Sequence, residues 1–342
     1  MGEHLTLRDI KSIPEGLEGL LSSLPKELER LEKLVEGFPP RRVILIGSGT
    51  SYYAALASSY AFKGMEVLVS PSSEFYLYPP TGLGVSDLIV LFSRSGETTE
   101  VLRALKLAKE TSCKVVSLTH NPRSPLAKGS DASIFIKVGP EGSVLMTKTF
   151  SGLTLAGILL GSKLSGSGVE IKGVKDLPRA IDEALEAADA YLKELAEVML
   201  KENRYIFCLG AGPCYAAASE CALKFIECSE MPAQGLHLME FRHGFKVLSY
   251  KAHLFILSPK GSSLGEALKL AEEARKLGAE VTVITNAEVD DPEALKVNWE
   301  GDEILAPLLF TPLIQLVAYH VAVLKGLNPD KPRNLSRVVR LD

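Results

Sequence analysis

The sequence predicts an α/β protein built from two duplicated domains, each a parallel sheet covered by helices on both faces. Three observations predict it. Short runs such as Leu88-Ile89-Val90-Leu91-Phe92 and Val115-Val116-Ser117-Leu118-Thr119 are apolar with no strict alternation, the pattern of strands buried on both sides. Helical stretches follow them, for example 98–109 and 264–277, and strands alternating with helices make parallel βαβ units. The series then occurs twice. Leu45-Ile46-Gly47-Ser48-Gly49-Thr50-Ser51-Tyr52 is echoed 163 residues later by Cys208-Leu209-Gly210-Ala211-Gly212-Pro213-Cys214-Tyr215. Residues 88–93 are echoed by 254–258 at an offset of 165, and 115–119 by 281–285 at 166. A period this long is a duplicated domain, not a solenoid, and 342 residues suit two domains of about 150 each.

The elements follow in order. Residues 1–40 read as an N-terminal helical segment, because Leu17, Leu20, Leu21, Leu24, Leu28 and Leu31 recur mostly at spacings of three and four. Pro39-Pro40 stops it, and the strand Val43–Ile46 opens a first domain over 41–165. The second strand, near Val67–Val69, runs into Ser70-Pro71-Ser72. Gly161–Gly173 is rich in Gly and Ser and reads as a linker, so 166–200 is linker plus the amphipathic helix Ile181–Leu200. Tyr205–Leu209 opens the second domain, 201–326. Its last stretch, Ile304–Leu324, carries no Lys, Arg, Asp or Glu, yet Pro307, Pro312, Gln315 and His320 make it a buried helix rather than a membrane span. The tail, 327–342, mixes apolar and polar residues in a way that suits docking on the body.

Composition narrows the function. With 38 Lys+Arg against 42 Asp+Glu there is no electrostatic footprint for nucleic acid or an anionic membrane. The five cysteines contain no C-x-x-C pair and are odd in number, so free thiols are expected and no metal site. Met1 leads into Glu3, His4, Arg8 and Asp9 without an apolar signal core, and a cytoplasmic protein is expected.

Two loops of the first domain point to phosphate. Gly47-Ser48-Gly49-Thr50-Ser51 follows the first strand, and Ser93-Arg94-Ser95-Gly96-Glu97-Thr98 follows the strand Leu88–Phe92. Ligands of doubly wound sheets bind at the carboxyl ends of strands, where glycines admit an anion, backbone N–H groups and helix dipoles face it, and hydroxyls add donors. A dinucleotide is excluded: G-x-G-x-x-G would need Gly where Tyr52 stands, and no carboxylate follows the second strand until Glu74. The second copy is reduced to Ser258-Pro259-Lys260-Gly261, so one phosphate site per chain is expected. Serine-rich loops also serve as plain caps and turns; here two occur together, and converging they would hold a phosphate dianion.

Gly49-Thr50-Ser51, Ser93–Thr98 and Val144-Leu145-Met146-Thr147-Lys148 resemble the sugar isomerase (SIS) family, in particular the isomerase half of glucosamine-6-phosphate synthases and the deaminases of the same family. The resemblance continues through Ala222-Leu223-Lys224-Phe225-Ile226-Glu227, Glu240-Phe241-Arg242-His243-Gly244, Ala318-Tyr319-His320-Val321-Ala322 and Pro332-Arg333-Asn334-Leu335. It implies two flavodoxin-like SIS domains and a phosphosugar substrate, with no cofactor. By position, Gly49, Thr50, Ser51, Ser93, Arg94, Ser95 and Thr98 would line the sugar phosphate, with Val144 and Lys224 beside the sugar. Glu227 would move a proton between C1 and C2, and His243 would help open the ring from the partner subunit, which implies a homodimer. A helical Glu is otherwise usually solvated and a lone His usually structural. His237, His253 and His320 are read as structural, while His120 stays undecided.

Two departures bear on the reaction. The synthase's glutaminase half has a cysteine right after the initiator Met; here residue 2 is Gly and about 40 residues precede the first strand, so no glutaminase half is expected. The family tail also carries a lysine that forms a Schiff base with the ketose, and the aligned residue is Arg337, expected to hold phosphate or a sugar oxygen instead. A guanidinium does not become a nucleophilic amine. The pocket is also less polar, with Met146 and Ile226 at family Ser and Lys positions. An amino sugar needs no Schiff base, since its nitrogen is already on C2. The expected reaction is glucosamine 6-phosphate to fructose 6-phosphate plus ammonia, or its reverse. Another phosphosugar isomerase or deglycase, or a non-catalytic sugar-phosphate sensor, stands as the alternative.

Overall fold

The computed structural model describes residues 2–35, 40–166, 171–202 and 204–341. In chain order these form α1 (Leu5–Lys11), α2 (Ile13–Val35), β1 (Arg42–Gly47), α3 (Thr50–Ser59), β2 (Glu66–Pro71), α4 (Ser72–Leu77), β3 (Asp87–Ser93) and α5 (Thr99–Glu110). Then come β4 (Lys114–Thr119), α6 (Pro125–Gly129), β5 (Ala132–Phe135), α7 (Lys148–Leu164) and α8 (Leu177–Glu202). The second series is β6 (Tyr205–Gly210), α9 (Pro213–Ser229), β7 (Ala233–His237), β8 (Ala252–Leu257), α10 (Leu264–Lys276), β9 (Glu280–Thr285), β10 (Leu295–Lys296) and α11 (Ala306–Leu324).

Both sheets are five-stranded and parallel, and both have the same order, β2-β1-β3-β4-β5 and β7-β6-β8-β9-β10. This is the flavodoxin-like 2-1-3-4-5 arrangement, whose switch point lies between the first and third strands. The duplication therefore extends to topology. The chain divides into two compact units, and the division is not at one point in the sequence. One unit comprises Glu15–Pro140, Lys148–Glu170 and Ser336–Asp342; the other comprises Met1–Pro14, Glu141–Thr147 and Ile171–Leu335.

In the unit of the first sheet, β1 and β3 are buried along their whole length. On one face Ile44, Ile46, Ile89, Leu91 and Val115 pack with Val101, Ala104, Leu105 and Ala108 of α5 and with Phe75 and Leu126. Burial on both faces is why these strands are apolar without alternation. Gly161–Leu164, read as the start of a linker, completes α7, and 167–170 of that expected linker lie outside the described residues. Ile158, Leu160 and Gly161 are part of α7's almost continuous buried run, so the segment's small residues serve packing there.

In the other unit, Phe207, Leu209, Leu254, Ile256, Val281 and Val283 pack against Ala267, Leu270, Ala271 and Ala274 of α10. The apolar segment Glu303–Leu324 is mostly buried in the fold, its helix α11 packed on α1, α8 and α9. All five cysteines are free and buried, and burial pushes their thiols up, so they stay protonated.

His253 on β8 is buried, stacks on Phe255 with 4.6 Å between ring centroids, and has Nε2 3.2 Å from Thr282 Oγ1. Burial, aided by the charge of Arg204, brings its pKa from 6.5 down to about 3. Between those values the unfolded chain binds a proton that the folded chain does not. This contribution to stability is complete above pH 6.5 and falls as pH drops toward 3, with a slope of up to about 1.4 kcal/mol per pH unit. His253→Gln is expected to flatten that acid limb, read as the denaturation midpoint followed from neutral to acid pH.

Candidate functional site

The first-domain switch point is built as the sequence suggested. After β1, Gly49 adopts φ +54° as the N-cap of α3, and Thr50 and Ser51 lie buried in that helix's first turn. After β3, Ser93 Oγ accepts the Gly96 N–H at 3.0 Å and Ser95 Oγ accepts the Glu97 N–H at 3.1 Å, so the loop is tightly wound by its own hydroxyls. Gly96 has φ +64°, and a Cβ there would run into Ser124, so only glycine fits. Thr98 is the N-cap residue of α5, but its side chain makes no capping bond. The arrangement offers the ends of two helices and several hydroxyls, the chemistry of an anion cradle.

The end of the tail, Ser336–Asp342, belongs to the same unit. Thr99 N–H donates to Val339 O at 3.3 Å, Leu341 N–H donates to Thr99 Oγ1 at 3.0 Å, and Arg340 Nη2 lies 2.6 Å from Glu97 Oε2. Arg94 Nη2 donates to the Arg337 carbonyl at 3.2 Å. Thus Arg94 and Arg337, which are 243 residues apart, are brought together at the loop. Arg94 is itself buried, and its carbonyl accepts from His120 N–H and Thr119 Oγ1, both at 3.2 Å. The imidazole of His120, left undecided by the sequence, sits with Nδ1 2.7 Å from Ile136 O and is a structural link.

The second copy keeps the backbone but not the charge pattern. Gly212 repeats the left-handed N-cap at φ +55°. In the loop after β8, Ser258 and Ser263 bond to each other at 3.0 Å, and Lys260 pairs with Glu300 at 3.2 Å. A Cβ on Gly261 would meet Glu303 Oε2 at 2.5 Å. Glu303 therefore stands against the second loop.

The unit of the second sheet carries the proton-transfer candidates. On α9, Glu220 and Glu227 lie four residues before and three after Lys224, all on one helix face. Lys224 is 2% exposed, its Nζ lies 3.1 Å from Glu220 Oε1, and it donates to Glu227 Oε2. Burial works to lower its pKa, but the two carboxylates outweigh burial and hold it well above the usual lysine value. Lys224, expected beside the sugar, is placed beneath Glu227 with its charge taken up by carboxylates. Glu227 is 22% exposed and lines a cleft of about 190 Å³ with Cys228, Asn328, Lys331 and Arg333. Sequence reasoning passed over Glu220; the signal was a glutamate one turn before a lysine in an otherwise apolar helix.

Val144 is half-buried in a segment, Glu141–Thr147, that belongs to the same unit. His243 follows the 3-10 turn Leu238–Arg242 and is exposed, and its side chain has no partner among the described residues. Of the other histidines, His237 stacks on Tyr215 at 3.5 Å, and His320 Nε2 lies 2.7 Å from Asp189 Oδ1. No cluster of His, Cys, Asp and Glu among the described residues could hold a metal ion.

The sequence profile of the SIS domain matches residues 38–160 and 199–324, the two sheets just described. The glutamine–fructose-6-phosphate aminotransferase (isomerizing) of Pyrococcus horikoshii is 32% identical over 356 aligned residues, which cover 99% of this chain and 58% of that protein. The chain therefore spans a little over half the length of the curated relatives it matches. Among solved structures, the C-terminal domain of the glucosamine-fructose-6-phosphate aminotransferase of Francisella tularensis superposes with a TM-score of 0.87 at 25% identity, covering 96% of this chain and 99% of that one. The glucosamine-6-phosphate deaminase of Thermotoga maritima superposes at 0.77 with 28% identity, covering 98% and 100%. With both halves matched by the same family profile and the same strand order in each, the chain belongs to the SIS, or sugar isomerase, family and carries two SIS domains in tandem.

Proposed function

We propose that the chain converts glucosamine 6-phosphate to fructose 6-phosphate and ammonia, with Glu227 as the base. The observation that carries this reading is the Glu227 carboxylate, held by a buried ammonium yet open to a cleft on its other side. A base must reach the substrate and be held in place, and the Lys224 ammonium fixes the Glu227 carboxylate at the edge of the cleft. Glu227 removes the proton from C2 of the open-chain sugar and returns it to C1, which moves the double bond to C2 as an imine. Water then adds at C2, and ammonia leaves. Ser51, Ser93, Ser95 and Thr98 hold the phosphate, and Arg337 replaces an amine that this substrate does not require. The likeness to a Thermotoga maritima glucosamine-6-phosphate deaminase supports the choice of substrate.

The test is release of ammonia and fructose 6-phosphate from glucosamine 6-phosphate, with galactosamine 6-phosphate run beside it. Equal amounts of both products are expected. Tight binding of the amino sugar without ammonia release would overturn the deaminase assignment in favour of a different phosphosugar isomerisation.

In the same reading His243 acts in the site of a second copy, which accounts for an exposed imidazole with no partner among the described residues. Mixing the inactive variants Glu227→Gln and His243→Ala is then expected to restore activity, to about a quarter of wild type for random pairing in a twofold dimer. No recovery after exchange of subunits would place His243 within its own chain's site.

A further inference from the structure

We infer that the short N-terminal helix α1 positions the Val144 segment, with Asp9 as the positioning residue; this rests on the phosphosugar reading above, in which Val144 lies beside the sugar. The segment Glu141–Thr147 precedes α7 and has no helix or strand of its own, so side-chain bonds must set its path. Asp9 lies 133 residues away in sequence and is 5% exposed. Its Oδ1 accepts the Gly142 N–H at 3.1 Å, and its Oδ2 accepts the N–H groups of Gly142 at 2.9 Å and Ser143 at 2.8 Å. A carboxylate is the acceptor suited to two successive backbone donors, because every one of its lone pairs can accept.

Thr6, one turn earlier on α1, reinforces the link. Its hydroxyl lies 2.9 Å from Ser143 Oγ, and that Oγ accepts the Leu145 N–H at 3.1 Å. The same hydroxyl is 2.9 Å from Pro329 O and from Asp330 Oδ1. Asp330 in turn accepts the first N–H groups of α1, from Leu5 at 2.9 Å and Thr6 at 2.8 Å. Pro329 and Asp330 stand between Asn328 and Lys331, two residues of the cleft that Glu227 lines. Helix α1 thus ties the Val144 segment to the turn that walls the base's cleft. Asn at position 9 would replace one acceptor oxygen by a donor and leave a backbone N–H facing it.

The experiment uses the full chain with Asp9→Asn, and Thr6→Val as a milder variant that changes no charge. Amide hydrogen exchange over 141–147 is expected to speed up by about tenfold or more in Asp9→Asn, and by less in Thr6→Val, with the two sheets unchanged. The KM for glucosamine 6-phosphate is expected to rise by about tenfold while kcat changes less than about twofold and inhibition by inorganic phosphate alone is unaltered. Unchanged exchange at 141–147 in both variants would overturn the brace. So would a joint loss of kcat, sugar-phosphate affinity and phosphate affinity, which marks general destabilisation. A wild-type chain inert toward glucosamine 6-phosphate would refute the phosphosugar reading, and the exchange measurement would still decide the role of α1.

Discussion

Glu227→Gln is expected to lower turnover of glucosamine 6-phosphate by about 10³- to 10⁴-fold and to leave its binding within a few-fold of wild type. Gln has the shape of Glu, and its amide oxygen can still accept the bond from Lys224. What it loses is the ability to take a proton. A loss confined to kcat therefore separates base chemistry from positioning. The direct readout is washout of deuterium from C2 of the sugar into solvent, which requires the base and not the later hydrolysis. Washout at the wild-type rate in Glu227→Gln would mean that another group removes the proton.

Lys224→Met is expected to cost stability as well as activity. It removes a buried cation from between Glu220, which is fully buried, and Glu227, which is mostly so. Removing one member of a buried ion cluster typically costs about 3–5 kcal/mol, because the remaining charges stay desolvated and unpaired. The pH dependence has a definite sign. In the variant the two carboxylates face a methionine in place of the ammonium, so the deficit is expected wherever the wild-type Lys224 is charged. In the wild type, the Lys224 pKa is raised above its ordinary value of 10.5. Its contribution is therefore complete below that value and is lost only as pH rises beyond it. Denaturant titration at several pH values reads the deficit and its pH dependence, and a variant as stable as wild type at pH 8 would show that the cluster contributes nothing.

The sheets and the Gly/Ser-rich loops at their strand ends were legible in the sequence because both are local. A strand buried on two faces must be apolar throughout, as 43–46 and 88–92 are, and the turns that follow them take their glycines and hydroxyls from within a few residues, as 47–51 and 93–98 do. The same locality let the weaker second copy be recognised from Ser258-Pro259-Lys260-Gly261, although the acid beside it, Glu303, could not be assigned from 42 residues further on. Glu227 was legible only through resemblance. Nothing in the spacing of Glu220, Lys224 and Glu227 says which of the three is open to a cleft, because that depends on what packs over α9.

By itself, then, the sequence determined the class of the fold, its duplication and the strand that opens each sheet's series. Only the tertiary structure decided that Lys224 lies beneath Glu227, that Arg94 holds the Arg337 carbonyl, and that Asp9 grips the backbone of Gly142 and Ser143. The physical reason is the same in each case. Strand burial and turn chemistry are written in neighbouring residues, whereas the burial of a charge and the partner of a carboxylate depend on segments that meet only after the chain has folded.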